Sequence, residues 1–281
     1  MTVKRIALIV LVCAAAQAQQ KKIYNTAKVK LMEGKQIVGG TVSSSDPEIY
    51  CAMANSGFDY TWIEMQHSVL NYHEVATMVR ACKGASAIPF IRVPDANEGD
   101  IQKATDLGAL GIIIPMVETL EKVQNAVKFA KYPPMGSRSQ GGGQYGAMWG
   151  ADYRQTANDN IMIIAMIESP KGVAIADKIA AVPGVDVVFV ASTDLGSFSG
   201  YKQGEPQYEA LVSKIKDATL SKGLKLGGPA AWKSTRQGYT FFQGPGETAL
   251  IRAGAQASLG GGGAAQERRG VAPIEGAEGK K

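Results

Sequence analysis

Ile161-Met162-Ile163-Ile164-Ala165-Met166-Ile167-Glu168 is the stretch on which the fold turns. Seven apolar residues run without interruption and stop at a carboxylate. A strand with one wet face alternates apolar and polar residues. A run apolar at every position is covered on both faces, as in a parallel sheet flanked by helices. The same texture recurs outward from it. Upstream lie Gln36–Val42, Tyr60–Met65, Ile88–Val93 and Gly111–Val117; downstream lie Val185–Ala191, Leu224–Gly227 and Tyr239–Gln243. Amphipathic segments fall between them at Asp46–Ala54, Tyr72–Cys82, Gly99–Leu107, Leu120–Phe129, Gly172–Ala181 and Tyr208–Lys222, after a short helix at Asn25–Met32. Eight strands with intervening helices predict an α/β chain, a single-domain (β/α)8 TIM barrel. An open doubly wound sheet would want a GxGxxG turn after its first strand, and that turn is missing.

Composition agrees. The 281 residues are 45% hydrophobic and 20% charged, which excludes a disordered or fibrous chain. Three of the five net positive charges belong to the two ends, so the body is near neutral and carries no basic stripe for nucleic acid. Residues 1–18 read as a signal peptide: Lys4-Arg5, the apolar run Ile6–Ala16, and Ala16-Gln17-Ala18 as a small-x-small cleavage site. The run is too short for a stable membrane anchor, so an exported protein, periplasmic or secreted, is expected, with no membrane contact after cleavage. The barrel domain would span 19–259, followed by a disordered Gly/Ala-rich tail over 260–281. Cys51 and Cys82 either pair or serve as two small buried hydrophobes. Tyr132–Asn160, long and Gly-rich between the fourth and fifth strands, is expected to wall the site on the catalytic face.

In such a barrel chemistry sits where strands end. Four polar residues fall there: His67 after the second strand, Arg92 on the third, Glu168 after the fifth, Asp194 just beyond the sixth. Each has a bland alternative. Asp194 could cap a helix, Glu168 could form a structural ion pair with Arg92, and His67 could be an inert rim histidine. His73 reads as a surface residue. All four together are better explained by a site. Two carboxylates without a neighbouring Cys suit a hard cation, Mg²⁺ or Mn²⁺, with Co²⁺ as a further option. A cation so held can chelate a 2-oxo acid and favour its enolate; Arg92 would add positive charge and His67 would move protons.

The chain resembles the HpcH/HpaI aldolase and citrate lyase family, in particular its metal-dependent class II pyruvate aldolases, over roughly residues 26–258. The landmarks are Ser45-Asp46-Pro47, Gly57-Phe58-Asp59, His67, Ile91-Arg92-Val93-Pro94, Ile114-Pro115-Met116-Val117, Tyr132-Pro133-Pro134-x-Gly136-x-Arg138, Ile167-Glu168 and Asp194-Leu195. The resemblance implies Glu168 and Asp194 as metal ligands and Arg92 as the group stabilising the pyruvate enolate. It implies His67 as catalytic histidine and Asp106 as the aspartate paired with it, and the backbone of Ser192-Thr193 as the binder of the substrate carboxylate. It also implies small 2-oxo acid and aldehyde partners, and a homo-oligomer, a hexamer built from dimers that exchange the last helix.

Three stretches depart from the pattern. Asp-x-Glu-His becomes Glu64-Met65-Gln66-His67, Gly-Pro before the metal aspartate becomes Ala191-Ser192-Thr193, and a common polar residue two before Glu168 is Met166. The expected activity is therefore a divalent-metal-dependent aldolase acting on 4-hydroxy-2-oxo acids. The alternatives are another enolate-based lyase (decarboxylase, retro-Claisen or macrophomate-synthase-like) or a non-catalytic binder of metal and oxo acid.

Overall fold

A computed structural model describes residues 22–260. The expected signal peptide (1–18) and all of the expected tail after Gly260 lie outside them. The eight strands are β1 (Ile37–Val42), β2 (Tyr60–Glu64), β3 (Ile88–Arg92), β4 (Gly111–Ile114), β5 (Met162–Ile167), β6 (Val187–Val190), β7 (Lys225–Pro229) and β8 (Tyr239–Gly246). All pair in parallel and in sequence order, and β8 closes on β1. The helices are α1 (Thr26–Met32), α2 (Pro47–Ala54), α3 (Tyr72–Ala81), α4 (Glu98–Asp106), α5 (Leu120–Ala130), α6 (Tyr145–Trp149), α7 (Tyr153–Asn160), α8 (Pro170–Ala174), α9 (Ala176–Ala180), α10 (Ser192–Ser199), α11 (Pro206–Ser221) and α12 (Glu247–Ser258). Among the described residues no helix is long and apolar enough to cross a membrane.

Local chemistry sets the helix starts. Asp46 caps α2 ahead of Pro47, and Asn71 with Glu74 forms a reciprocal capping box on α3. The barrel interior is an aromatic plug. Tyr60 stacks on Phe90 and on Phe241 with ring centroids 4.7 Å apart, and Trp62 meets Phe189 at 5.2 Å. Room for these rings comes from glycines paired with them on the neighbouring strands. A Cβ on Gly39 would overlap the Tyr60 ring, and one on Gly111 the Phe90 ring. Cys51 of α2 and Cys82 at the end of α3 are joined in a disulfide, Cα atoms 5.4 Å apart.

Two expectations need correction. Tyr132–Asn160 does not wall the catalytic face. It follows α5, which has already returned the chain to the opposite end of the barrel, where β5 begins. There it carries α6 and α7: Gln144 Nε2 donates to Leu107 O beyond α4, and Trp149 Nε1 to Gly108 O. The expected helix over Gly172–Ala181 is two short helices, α8 and α9, meeting at Ile175.

Candidate active site

Successive residues of a strand point to opposite faces, so side chains two beyond the aromatic plug form the next interior layer. Glu64 stands two beyond Trp62, Arg92 two beyond Phe90, and Gln243 two beyond Phe241. Above the plug this layer borders a cleft of about 180 Å³ lined by His67, Arg92, Met166, Phe189, Ala191, Ser192, Thr193, Asp194, Pro229 and Gln243. Five of the expected site residues, from three different loops or strand ends, therefore share one cavity. Glu168, directly after β5, adjoins it through Asp194.

Glu64 organises the Arg92 side. Its Oε2 accepts from Arg92 Nε at 2.6 Å and from Trp62 Nε1 at 3.2 Å, and it forms an ion pair with Arg92 Nη2. Its Oε1 accepts the backbone N–H groups of Gln66 (2.8 Å) and His67 (3.0 Å). One buried carboxylate thus holds the guanidinium and the turn that carries the histidine. The ion pair weighed for Glu168 with Arg92 is made by Glu64 instead, and its guanidinium also lies 5.6 Å from the Trp62 ring. Beside it, Gln66 Oε1 is buried without a hydrogen-bond partner. His67 itself is exposed.

Glu168 is buried at the other wall, and its Oε1 accepts the Met116 N–H at 2.8 Å. Met116 adopts φ 50°, a left-handed conformation costly for a side-chain-bearing residue, which aims that N–H at the carboxylate. Burial is the main cause pushing the Glu168 carboxyl up to about 7. The Met116 N–H pulls it down, Asp194 pushes it up again, and Arg92 pulls it down. Asp194 lies in the first turn of α10 and does not cap it: Ala191 is the N-cap and supplies no side-chain bond. The first N–H groups of α10 are left for a ligand. Two acid groups forced together at a cleft are what a divalent cation relieves, and an oxygen-only donor set fits Mg²⁺ or Mn²⁺. Among the described residues no group of three or more His, Cys, Asp or Glu forms a closed cage. Water and substrate would complete the shell around Glu168 and Asp194.

Asp106 is not brought to this cleft within the chain. It ends α4 at the opposite end of the barrel, where its carboxylate accepts from Arg138 Nη2 (2.7 Å) and Gln102 Nε2 (2.8 Å). Arg138 is buried among Tyr132, Tyr145 and Tyr153. His73 is exposed on α3, as expected. Sequence reasoning did not single out Phe189, Pro229 or Gln243 as part of the site. The two-residue period running up from Phe241 was the signal that could have found Gln243.

The family model described as HpcH/HpaI aldolase/citrate lyase matches residues 41–225. A hydroxypyruvate/pyruvate aldolase of Delftia acidovorans is 33% identical over 210 residues, 72% of this chain and 77% of its own. The structure of an HpcH/HpaI aldolase/citrate lyase family protein from Burkholderia cenocepacia superposes with a TM-score of 0.76 at 29% identity, over 84% of this chain and 98% of that one. The citrate synthase SbnG superposes with a TM-score of 0.72 at 31% identity, over 84% and 96%.

Proposed function

The chain belongs to the HpcH/HpaI aldolase/citrate lyase family and is an aldolase, a carbon–carbon lyase; on that premise we propose that a divalent cation at Glu168 and Asp194 makes it a class II enzyme for 4-hydroxy-2-oxo acids. When bound, the cation supplies Lewis-acid polarisation of the 2-oxo acid and offsets the paired carboxylates. Arg92, held by Glu64, places fixed positive charge where the enolate oxygen develops. The exposed N-terminal turn of α10 at Ser192 and Thr193 binds the substrate carboxylate. His67, at the open rim, exchanges the proton of the aldol hydroxyl. The observation that carries this reading is the convergence of Arg92, His67, Asp194 and Glu168 from separate strands on one cleft.

The experiment is solvent exchange. Pyruvate is incubated in D2O with the protein and Mg²⁺ or Mn²⁺, and the methyl proton signal is followed by NMR. The signal should decay, and should persist after chelation or in Arg92→Ala. Undiminished decay in the chelated protein would sink the metal reading. A second reading, an enolate condensation other than aldol addition, is favoured by the likeness to SbnG together with Met166 in place of the common polar residue. Product analysis separates the two, because that reading consumes a partner other than an aldehyde.

We further propose an exported, homo-oligomeric enzyme, hexameric by the family resemblance. The leader-like residues 1–18 and the Cys51–Cys82 disulfide support export, since disulfides persist in oxidising compartments. The solvent-exposed α12 supports assembly.

A further inference from the structure

Gln243 is a polar group with little to do inside the folded chain. It enters the cleft from β8, in register with Pro229 of β7. Its Nε2 lies 3.5 Å from Thr41 Oγ1, the outer limit of a hydrogen bond, and its side chain makes no other among the described residues. Thr41 donates its own proton to Gly244 O at 3.0 Å, so toward Gln243 its hydroxyl can only accept, and the amide oxygen and second N–H of Gln243 stay unpaired among the described residues. An amide with a donor and an acceptor to spare therefore borders a cleft whose neighbouring wall is the thioether of Met166 and the ring of Phe189. A hydroxyl uses both halves of an amide, whereas a methyl group uses neither.

Resting on the 2-oxo-acid reading above, we propose that Gln243 determines which nucleophile the enzyme takes: its amide hydrogen-bonds the C3 hydroxyl of a 3-hydroxy-2-oxo acid and so selects that acid over pyruvate. The other polar groups of the cleft have assigned roles: Arg92, bound to Glu64, meets the enolate oxygen, the first turn of α10 the substrate carboxylate and His67 the aldol hydroxyl, while Glu168 and Asp194 would hold the cation. With pyruvate the Gln243 amide is covered by a methyl group and loses its water without replacement, which is the physical origin of the selectivity.

The test is calorimetric titration of the Mg²⁺-loaded protein with 3-hydroxypyruvate and with pyruvate, for the native chain, Gln243→Met and Gln243→Leu. The native chain should prefer 3-hydroxypyruvate. In both variants its affinity should fall roughly 5- to 20-fold while that of pyruvate changes less than about twofold. Pyruvate binding serves as the control for folding. Equal losses for both acids, or no loss, overturn the proposal. The same samples are followed for pyruvate exchange in D2O. Exchange with an unchanged selectivity ratio leaves the aldolase mechanism standing and removes the role of Gln243. A Gln243-dependent preference without exchange does the reverse. Failure of both acids to bind overturns both.

Discussion

Arg92 and Glu168 show how far a side chain's behaviour depends on what faces it. Arg92 is buried and usable because Glu64 meets it with a carboxylate already fixed by Trp62 Nε1 and two loop amides. Glu168 is buried against another acid, with one N–H from a strained Met116 for support. Its carboxyl, pushed up mainly by burial from 4.5 to about 7, retains a proton in the folded protein that the unfolded chain has lost. Stability contributed at this position is present at low pH and declines as pH rises through that window. A cation competes with the proton for the same oxygens. Excess Mg²⁺ or Mn²⁺ should therefore raise the melting temperature by roughly 5–10 °C at about pH 8 and by less than half of that at about pH 5. Thermal melts at the two pH values check this; equal shifts would show that the cation binds elsewhere.

Among the elements, the connection between β4 and β5 departs most from the sequence reading. Its helix α5 comes first, so the Gly-rich remainder is delivered to the end of the barrel away from the cleft, where α6 and its N-cap Gln144 brace the turn after α4. Order along the chain gave no hint of this, because a loop before the helix and a loop after it have similar composition. The disulfide couples neighbouring elements more directly. Cys51 and Cys82 lie 31 residues apart and tie α2 to the end of α3. Closing a loop of that length restricts the unfolded chain by about 3–4 kcal/mol. Replacing both cysteines by serine should cost about that much in denaturant unfolding under non-reducing conditions. A reducing agent should shift the native chain to the same midpoint and leave the double variant unmoved. A native chain insensitive to reduction would show that the bond contributes nothing.

For the molecule as a whole, α12 stands apart. Glu247 anchors its start by accepting the Ser43 N–H at 2.9 Å, and the rest of the helix is exposed, including Ile251 at 59% of its surface. Leu250, Ile251 and the following Leu259 place apolar side chains in solvent, where a lone amphipathic helix has nothing to hold it. Truncation after Glu247 should lower the mass measured by light scattering to that of a smaller assembly, with the barrel's circular dichroism retained. An unchanged mass would overturn the role proposed for α12 in assembly.

The barrel was legible because burial on both faces of a parallel strand forces unbroken apolar runs, and helices between them must be amphipathic. The meeting of His67, Arg92, Glu168 and Asp194 at one end of the barrel was legible because all four stand at or just beyond strand ends, where a charge closing an apolar run is costly unless paired. Asp106 and Tyr132–Asn160 were legible as residues but not as places: a (β/α)8 chain visits opposite ends of the barrel within a dozen residues. The partner of Arg92 was decided by the β2–β3 register, which sets it beside Glu64, and the neighbours of Gln243 by the pairing of β8 with β7 and, on closure, with β1. Periodicity reports which face a residue occupies; only strand pairing and closure decide what it meets there.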